Sequence, residues 1–286
     1  MYLRNVSGII AITALLGMKG QPMKGIGVIV SKIFLVLQSI LRKLGFKLQL
    51  IRISRGSGDN SSQDECYEII SPLSSYAPWL TDRPFKEVFG IIENFSLVDE
   101  YRCYELWQLV AESKKSHGAL LEVGVWRGGT GALIAKKAEM EGIREMVYLC
   151  DTFKGVVKAG ENDSKYSGGE HANTSRVLVE ELLNKKLQVS NVTILEGIFP
   201  EETQHKIAAD QFRFCHIDVD VYQSAKDIFE WVWPKMSMNG IIVFDDYGSS
   251  GCDGITKFVN EEWERNDHIT FYNLNGHAVI IKISKF

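Results

Sequence analysis

The sequence has few cysteines, and their spacing does not suit a metal site. Its five cysteines form no CxxC pair and no Cys/His arrangement. We therefore predict reduced thiols, no zinc site and no thiol nucleophile. Cys150 and Cys215 fall within predicted strands, as buried thiols do. Reduced thiols are consistent with a cytoplasmic location.

The chain also lacks an apolar run that is long enough to cross a membrane. The stretches 8–18 and 26–41 contain 11 and 16 residues, whereas a spanning helix needs about 20. Residues 1–58 include nine Lys and Arg and no acidic residue. This basic, apolar extension fits a helix on the membrane surface, a targeting segment, or an extra helix packed on the body. Of the three, we predict peripheral contact with the inner face of the membrane.

The rest of the chain has an excess of acidic residues. Residues 59–286 contain 23 Lys and Arg against 36 Asp and Glu, and the whole chain has a formal net charge of −4. Proteins that bind nucleic acid need a basic surface to neutralise phosphates. We therefore predict no nucleic-acid partner. The acidic body would also be repelled by anionic lipid, so any membrane contact should come from residues 1–58.

After a polar linker at 59–83, residues 84–286 are predicted to form one α/β domain. Two amphipathic helices at 84–115 form a helical cap. Strands are predicted at 119–124, 146–150, 192–196, 212–217, 240–244, 269–273 and 277–283, and helices at 130–141, 175–186, 202–209, 222–233 and 254–265. The last two strands are separated by a short turn, so they should be antiparallel neighbours. The pattern predicts a Rossmann-like, mostly parallel seven-stranded sheet that ends in an antiparallel hairpin.

The most informative stretch is 119–131 (ALLEVGVWRGGTG), an apolar strand that enters a glycine-rich turn and a helix. In a GxGxxG dinucleotide turn the middle glycine lets a pyrophosphate approach closely, but Trp126 stands there. S-adenosylmethionine has no pyrophosphate, and Glu122 suits its ammonium and sulfonium groups. Asp151 follows Gly129 by 22 residues, where an acid can accept hydrogen bonds from ribose hydroxyls. We therefore predict S-adenosylmethionine as the ligand.

Acidic residues follow two predicted strands. Asp218 and Asp220 come directly after 212–217, and Asp245 and Asp246 come after 240–244. If these strands are neighbours, the carboxylates meet at one edge of the sheet and repel one another. A hard divalent cation with oxygen ligands relieves that repulsion. We predict Mg²⁺ bound by Asp218, Asp245 and Asp246, and we leave Asp220 open because it could cap the next helix.

Two further features lie near these residues. The loop at 155–174 is long and rich in glycine and polar residues, so we predict a lid or binding loop. Its His171 is predicted to be solvated, with substrate contact as the alternative. His216 alternates with Asp218 along one strand, and we predict a near-core histidine whose hydrogen bonds are satisfied.

At these residues the sequence resembles the macrocin O-methyltransferase family, which methylates sugar hydroxyls on natural products. The resemblance covers roughly residues 84–284. It rests on 122–129 (EVGVWRGG), 151–155 (DTFKG), 197–199 (GIF), 218–222 (DVDVY) and 245–247 (DDY). It implies the fold of class I methyltransferases, with S-adenosylmethionine and Mg²⁺ as cofactors. It also implies that Asp218 acts as general base besides holding the metal.

The resemblance further implies which residues hold the cofactor. They are Glu122, Gly124, Val125, Trp126, Gly128, Gly129, Thr130, Asp151, Thr152, Phe153 and Gly197. The sequence departs from the family at Val219, where glycine is common, and at Thr152, where serine is common. These differences bear on the substrate more than on the chemistry.

We therefore predict an enzyme that transfers a methyl group from S-adenosylmethionine to a hydroxyl of a sugar or polyol. The acceptor would be a glycan or a glycosylated natural product. An NAD-dependent sugar oxidoreductase is the first alternative, and it would need a glycine at 126 or 130. A non-catalytic protein that binds a glycan or a partner on a methyltransferase fold is the second. The sequence leaves a homo-oligomer open.

Overall fold

The computed structural model describes Ile70 and residues 74–284. The chain divides into two units, Met1–Ile69 and Ile70–Phe286, and the described residues belong to the second. The prediction for residues 1–58 and most of the linker at 59–83 lie outside the described residues. Within the described part, no helix has the length and apolar character that crossing a membrane requires.

The core of the domain is a seven-stranded sheet with the strand order β3-β2-β1-β4-β5-β7-β6. Its strands are β1 (Ala119–Val123), β2 (Val147–Asp151), β3 (Val192–Glu196), β4 (Phe212–Ile217), β5 (Met236–Phe244), β6 (His268–Tyr272) and β7 (Ala278–Lys282). Strands β1 to β5 pair in parallel, whereas β7 runs antiparallel to both β5 and β6. The predicted parallel sheet with a C-terminal antiparallel hairpin is confirmed.

Six α-helices are found in the described residues. They are α1 (Arg83–Ile92), α2 (Glu100–Glu112), α3 (Gly129–Met140), α4 (Arg176–Glu181), α5 (Tyr222–Val232) and α6 (Asp253–Glu262). Helix α4 continues as a π-helical segment, Leu182–Leu187. The predicted helix at 202–209 is wrong, because only the 3₁₀ turn Gln204–Lys206 forms. The chain becomes extended at Ile207, and Ile207 and Ala209 pack against the core instead.

Local sequence explains where the cap helices begin. Asp82 accepts a hydrogen bond from the Phe85 amide at the start of α1. Asp99 accepts hydrogen bonds from the amides of Tyr101 and Arg102 at the start of α2. Each aspartate thus satisfies amide groups that would otherwise have no partner in the first turn.

The sheet is covered on both faces. Strands β1 and β4 are buried throughout their length, which explains their continuous apolar sequence. Leu120 belongs to the core shared with α1 to α4. Leu121, one residue later, belongs to the core shared with α5 and α6. The carboxyl ends of β1, β2, β4 and β5 therefore meet at one edge, where open α/β sheets bind ligands.

Candidate active site

A cavity of about 340 Å³ opens at this edge of the sheet. The predicted site residues that line it are Gly124, Val125, Trp126, Thr130, Asp151, Thr152, Gly197, Asp218, Asp245 and Asp246. The predicted site residues outside its lining are Glu122, Gly128, Gly129 and Phe153. Most residues assigned from the glycine turn and the strand ends thus share one cavity. Their contacts with a cofactor stay predictions.

The glycine turn holds Trp126 in the left-handed region of backbone conformation, at φ 47°. Its indole Nε1 donates a hydrogen bond to Asn173 Oδ1 at 2.9 Å, and its carbonyl accepts one from the Thr174 hydroxyl. Gly128, with φ 91°, caps the start of α3, and Gly129 donates its amide hydrogen to Phe95 O at 2.9 Å. The turn is therefore fixed by contacts with distant segments.

Asp151 organises this turn directly. Its Oδ2 accepts hydrogen bonds from the amides of Val125 at 2.7 Å and Trp126 at 2.8 Å. Its Oδ1 accepts one from the Phe153 amide at 2.6 Å. Burial raises the pKa of Asp151, although these three hydrogen bonds act to lower it. A carboxylate oxygen has two lone pairs, so Oδ1 retains acceptor capacity for a ribose hydroxyl.

Glu122 lies below the glycine turn and outside the lining of the cavity. Its side chain is fully buried, and its Oε1 lies 2.9 Å from His216 Nδ1. Its second oxygen lies under Gly131, where an added Cβ would come within 2.4 Å of it. The predicted contact of Glu122 with a cationic cofactor stays a prediction.

The acidic residues converge as the strand order requires. Strand β4 is the neighbour of β5, and Ile217 pairs with Phe244, so Asp218 meets Asp245 and Asp246. One ligand oxygen from each of the three lies within 4.8 Å of the others. Burial and the charges of its neighbours raise the pKa of Asp218 well above its ordinary value. Burial and the charge of Asp245 raise the pKa of Asp246 to about 7.

Asp245 has the opposite electrostatic environment. Burial alone would raise its pKa, but His277 and Arg102 hold that pKa well below its ordinary value. Arg102 Nη1 lies 2.7 Å from Asp245 Oδ1 and 3.3 Å from Asp246 Oδ1. His277 Nε2 lies 2.9 Å from the same Asp245 oxygen. One oxygen of Asp245 is thus fixed by two basic groups, and the other is left for a ligand.

The aspartate trio fits a hard divalent cation. All three side chains offer carboxylate oxygens, which are the ligands Mg²⁺ prefers. Within residues 74–284, the Asp218 carboxylate accepts no hydrogen bond, so its oxygens are available. Asp220 also lines the cavity, and its Oδ1 accepts a hydrogen bond from the Tyr166 hydroxyl at 2.8 Å, so its part in the metal site stays open. The residues that would hold Mg²⁺ are Asp218, Asp245 and Asp246.

The loop at 155–174 covers this cavity and is anchored at several places along its length, among them the contacts of Lys158 with Asp227 and of Ser164 with Asp253. Asp163 Oδ1 accepts a hydrogen bond from the Tyr222 amide at 2.9 Å, at the start of α5. At the other end, Asn173 and Thr174 contact the glycine turn. Tyr166, which lies between the anchors, lines the cavity, and so does the exposed His171. The loop thus lies over the site. His171 is exposed, as expected of a solvated residue, and its contact with a substrate stays a prediction.

Sequence reasoning missed three residues of this site: Arg102, Glu105 and His277. Arg102 is 143 residues from Asp245, and Glu105 is 172 residues from His277, so local patterns could not join them. The spacing of Asp99, Arg102 and Glu105 was an available signal. Positions three residues apart share one face of a helix, and charges on a cap helix that faces the sheet need partners.

Comparisons with known proteins agree with this geometry. The family model described as Macrocin-O-methyltransferase (TylF) matches residues 93–272. Demethyldecarbamoylnovobiocin O-methyltransferase from Streptomyces niveus is 30% identical over 141 residues, covering 46% of this chain and 53% of the relative. A Streptomyces olivaceus protein, 8-demethyl-8-(2,3-dimethoxy-alpha-L-rhamnosyl)-tetracenomycin-C 4'-O-methyltransferase, is 27% identical over 144 residues, covering 47% and 55%.

Among solved structures, the O-methyltransferase NovP is similar with a TM-score of 0.57 and 23% identity. The match covers 66% of this chain and 83% of that chain, and at this identity it supports the fold alone. The chain spans about half the length of the curated relatives that it matches.

Proposed function

Because the chain belongs to the macrocin-O-methyltransferase family, we propose that it transfers a methyl group from S-adenosylmethionine to a hydroxyl of a sugar or polyol, with Mg²⁺ at the aspartate trio. The acceptor would be a glycan or a glycosylated natural product. One observation supports this most strongly: the glycine turn, Asp151 and the three aspartates line a single cavity. A cofactor held by the first two would lie beside the carboxylates.

The reaction joins an acceptor oxygen to the methyl carbon while the carbon–sulfur bond of the cofactor breaks. The hydroxyl proton would go to the carboxylate of Asp218. Within residues 74–284 this carboxylate accepts no hydrogen bond, so an oxygen that is not bound to the metal would be open to the acceptor hydroxyl. Mg²⁺ held by Asp218, Asp245 and Asp246 would supply Lewis-acid polarisation of the acceptor oxygen.

The remaining residues would orient the reactants and exclude water. Asp151 and the glycine turn would hold the adenosine part, and the loop at 155–174 would close over the reacting groups. Holding two reactants at near-attack distance lowers the barrier by removing translational and rotational freedom beforehand. Tyr166 and His171 are the lid residues with polar side chains that line the cavity, so they would be able to contact an acceptor.

The names of two relatives guide the choice of acceptor. The Streptomyces olivaceus relative is named for the 4'-oxygen of a rhamnosyl compound, and the Streptomyces niveus relative is named for demethyldecarbamoylnovobiocin. Glycosides that carry a rhamnosyl group with a free 4'-hydroxyl are therefore the first acceptors to test on this chain.

Calorimetric titration with S-adenosylhomocysteine and with NAD⁺ tests this proposal against both alternatives. We expect S-adenosylhomocysteine to bind and NAD⁺ not to bind. A methyl-transfer assay with labelled S-adenosylmethionine and a panel of glycosides then separates an enzyme from a binding protein. Binding of NAD⁺ alone would contradict the proposal, as would cofactor binding without transfer to any hydroxyl compound in the panel.

A further inference from the structure

Two fully buried histidines meet beside Asp245, below the floor of the cavity. His216 lies on β4, and His277 immediately precedes β7. One ligand atom from each of His216, His277 and Asp245 lies within 4.8 Å of the other two. Nε2 of His277 is 2.9 Å from Asp245 Oδ1, but neither Nε2 atom meets the geometry of a hydrogen bond. His277 Nε2 thus contacts Asp245 without a well-aligned hydrogen bond, and His216 Nε2, which is buried beside them, has no hydrogen-bond partner.

The other nitrogen of each ring is held by a glutamate. Nδ1 of His216 lies 2.9 Å from Glu122 Oε1, and Nδ1 of His277 lies 2.6 Å from Glu105 Oε2. Asn275 fixes Glu105 in turn, through a hydrogen bond of 2.7 Å. Histidines that bind metals commonly donate the second ring N–H to a carboxylate, which sets the tautomer and frees Nε2 as a ligand. Both histidines show this arrangement.

The net charge around His216, His277 and Asp245 also favours a bound cation. Glu105, Glu122 and Asp245 bring three carboxylates, and Arg102 brings one positive charge, which Asp245 shares with Asp99 and Asp246. With neutral imidazoles, the cluster would hold two uncompensated negative charges in a region shielded from water. Such charges are costly unless they are paired. One divalent cation, or two protons on the imidazoles, would balance them.

We propose that His216, His277 and Asp245 bind a divalent transition-metal ion, with Zn²⁺ the best match. Imidazole nitrogen favours Zn²⁺ and its neighbours in the first transition row, whereas Mg²⁺ favours oxygen. This site is distinct from the aspartate trio but shares Asp245 with it. A metal here would join β4, the end of β5 and the start of β7. It would also hold Asp245 in position for the reaction.

The first test uses the full-length wild-type chain, purified without chelator. We expect elemental analysis to find about one zinc or related ion per chain. After removal of the metal and addition of Co²⁺, we expect visible d–d absorption bands that a large excess of Mg²⁺ does not remove. X-ray absorption of the zinc form should show two imidazole neighbours. Wild-type protein with no transition metal and no Co²⁺ bands would overturn the proposal.

Variants then locate the metal. His216→Gln should lower Co²⁺ affinity by more than the roughly 10–100-fold loss that an outer partner causes, and Glu122→Gln should fall within that range. His268→Gln is a matched control. His268 is also buried, its Nδ1 lies 3.1 Å from Asp267 Oδ1, and its Nε2 makes no hydrogen bond. It lies outside the cluster, so its Co²⁺ affinity should be unchanged.

A second pair of variants keeps this proposal separate from the proposed function. Asp218→Asn and Asp246→Asn should weaken Mg²⁺ binding and methyl transfer but leave the Co²⁺ bands in place. Loss of Co²⁺ in these variants together with its retention in His216→Gln would assign the ion to the aspartate trio and overturn the proposal. Binding of S-adenosylhomocysteine is measured independently, so failure of either proposal can be recognised by itself.

Discussion

The carbonyl oxygen of Asp218 lies where a side chain on Gly124 would begin. A Cβ built on Gly124 would sit only 1.6 Å from that oxygen, and Gly124 has φ 91°. The ends of β1 and β4 are therefore in backbone contact at the floor of the cavity. This contact links the glycine turn, which would hold the cofactor, to the carboxylate that would accept the proton.

The first prediction concerns this contact. Gly124→Ala should abolish methyl transfer and reduce binding of S-adenosylhomocysteine, because the clash requires the backbone of one strand end to move. A positive φ costs a residue other than glycine about 1–3 kcal/mol in addition. Gly142→Ala is the control, since Gly142 also has a positive φ but no atom near an added Cβ. Calorimetry and thermal unfolding of both variants separate the clash from the backbone strain.

The second prediction concerns Asp151. Asp151→Ala should weaken binding of S-adenosylhomocysteine by roughly one to two orders of magnitude, because a hydrogen bond to a charged group contributes about 1.5–3 kcal/mol. Part of this loss would come from the turn, whose amides of Val125 and Trp126 lose their acceptor. An unchanged dissociation constant in calorimetry would show that Asp151 is not at the ribose.

The third prediction concerns the aspartate trio. Chelation should abolish transfer and Mg²⁺ should restore it, because three adjacent carboxylates need a cation. Asp246→Asn should lower turnover roughly tenfold or more and change S-adenosylhomocysteine binding much less, since Asp246 belongs to the aspartate trio and not to the glycine turn. Asp210→Asn, an exposed change outside the cavity, serves as control. Full activity in excess chelator would contradict the metal assignment.

The fourth prediction is a pH dependence of stability in metal-free protein. Burial would lower the pKa of His277, but Asp245 and Glu105 raise it to about 9, above the ordinary value near 6.5. The stabilisation is therefore complete below pH 6.5 and is lost as the pH rises through 9. Arg102 also contacts Asp245 and keeps its charge throughout this range. Asp246, whose pKa burial and Asp245 raise to about 7, titrates in the wild type and in His277→Gln alike, so the difference between the two proteins isolates His277.

The expected change in stability with pH follows from the raised pKa of His277. We expect the free energy of unfolding in chelator to fall by up to about 3 kcal/mol between pH 6 and pH 9.5, since one pKa unit is worth about 1.4 kcal/mol. His277→Gln should lack this slope. Urea unfolding at several pH values measures it. A wild-type curve parallel to that of His277→Gln would show that no proton is held there.

The fifth prediction concerns the lid. Asp163→Ala should raise the KM for the acceptor and speed hydrogen exchange in residues 158–171, because Asp163 accepts hydrogen bonds from the amides of Gly160 and Tyr222. Loss of such a cap costs about 1 kcal/mol. Glu161→Gln, an exposed change in the same loop, should have no effect. Equal exchange rates in both variants would mean that the loop is held by other contacts.

The basic extension remains a proposal. The full chain should co-sediment with anionic vesicles at low salt, because each basic residue near such a surface contributes about 1 kcal/mol. A chain that starts near Ser61 should stay in the supernatant and keep its activity. If the full chain ignores the vesicles, or the shortened chain does not fold, residues 1–58 serve the body of the protein instead.

Most strands of the sheet could be predicted from the sequence, because the patterns that indicate a strand are local in the chain. Buried strands such as β1 and β4 are continuous apolar runs, and glycine marks the turn after β1. Strand β5 is less complete in the prediction, which begins at 240, whereas the strand begins at Met236. The polar residues Ser237 and Asn239 interrupt the apolar pattern, so the first half of the strand was not predicted. Ser237 is buried there because its hydroxyl donates a hydrogen bond to His117 O at 2.6 Å.

The candidate site was predictable where it lies at strand ends and unpredictable where it depends on tertiary contacts. Asp218, Asp245 and Asp246 follow strands, so topology alone brings them together. His216 was expected to be a satisfied core histidine, yet only its Nδ1 has a partner. That outcome depends on how His277 approaches from another strand, and no spacing along the chain encodes it.

Helix α2 sets a limit on exchanging parts between related proteins. Arg102 and Glu105 lie on this helix, Asp99 caps its start, and Arg102 and Glu105 contact Asp245 and His277. A chimera that takes residues 74–98 from a relative could acquire a new acceptor preference and keep its chemistry. A chimera whose junction lies after α2 would also place the relative's charged residues beside Asp245 and His277. The relative's residues at positions 245 and 277 would then have to be exchanged together with the helix.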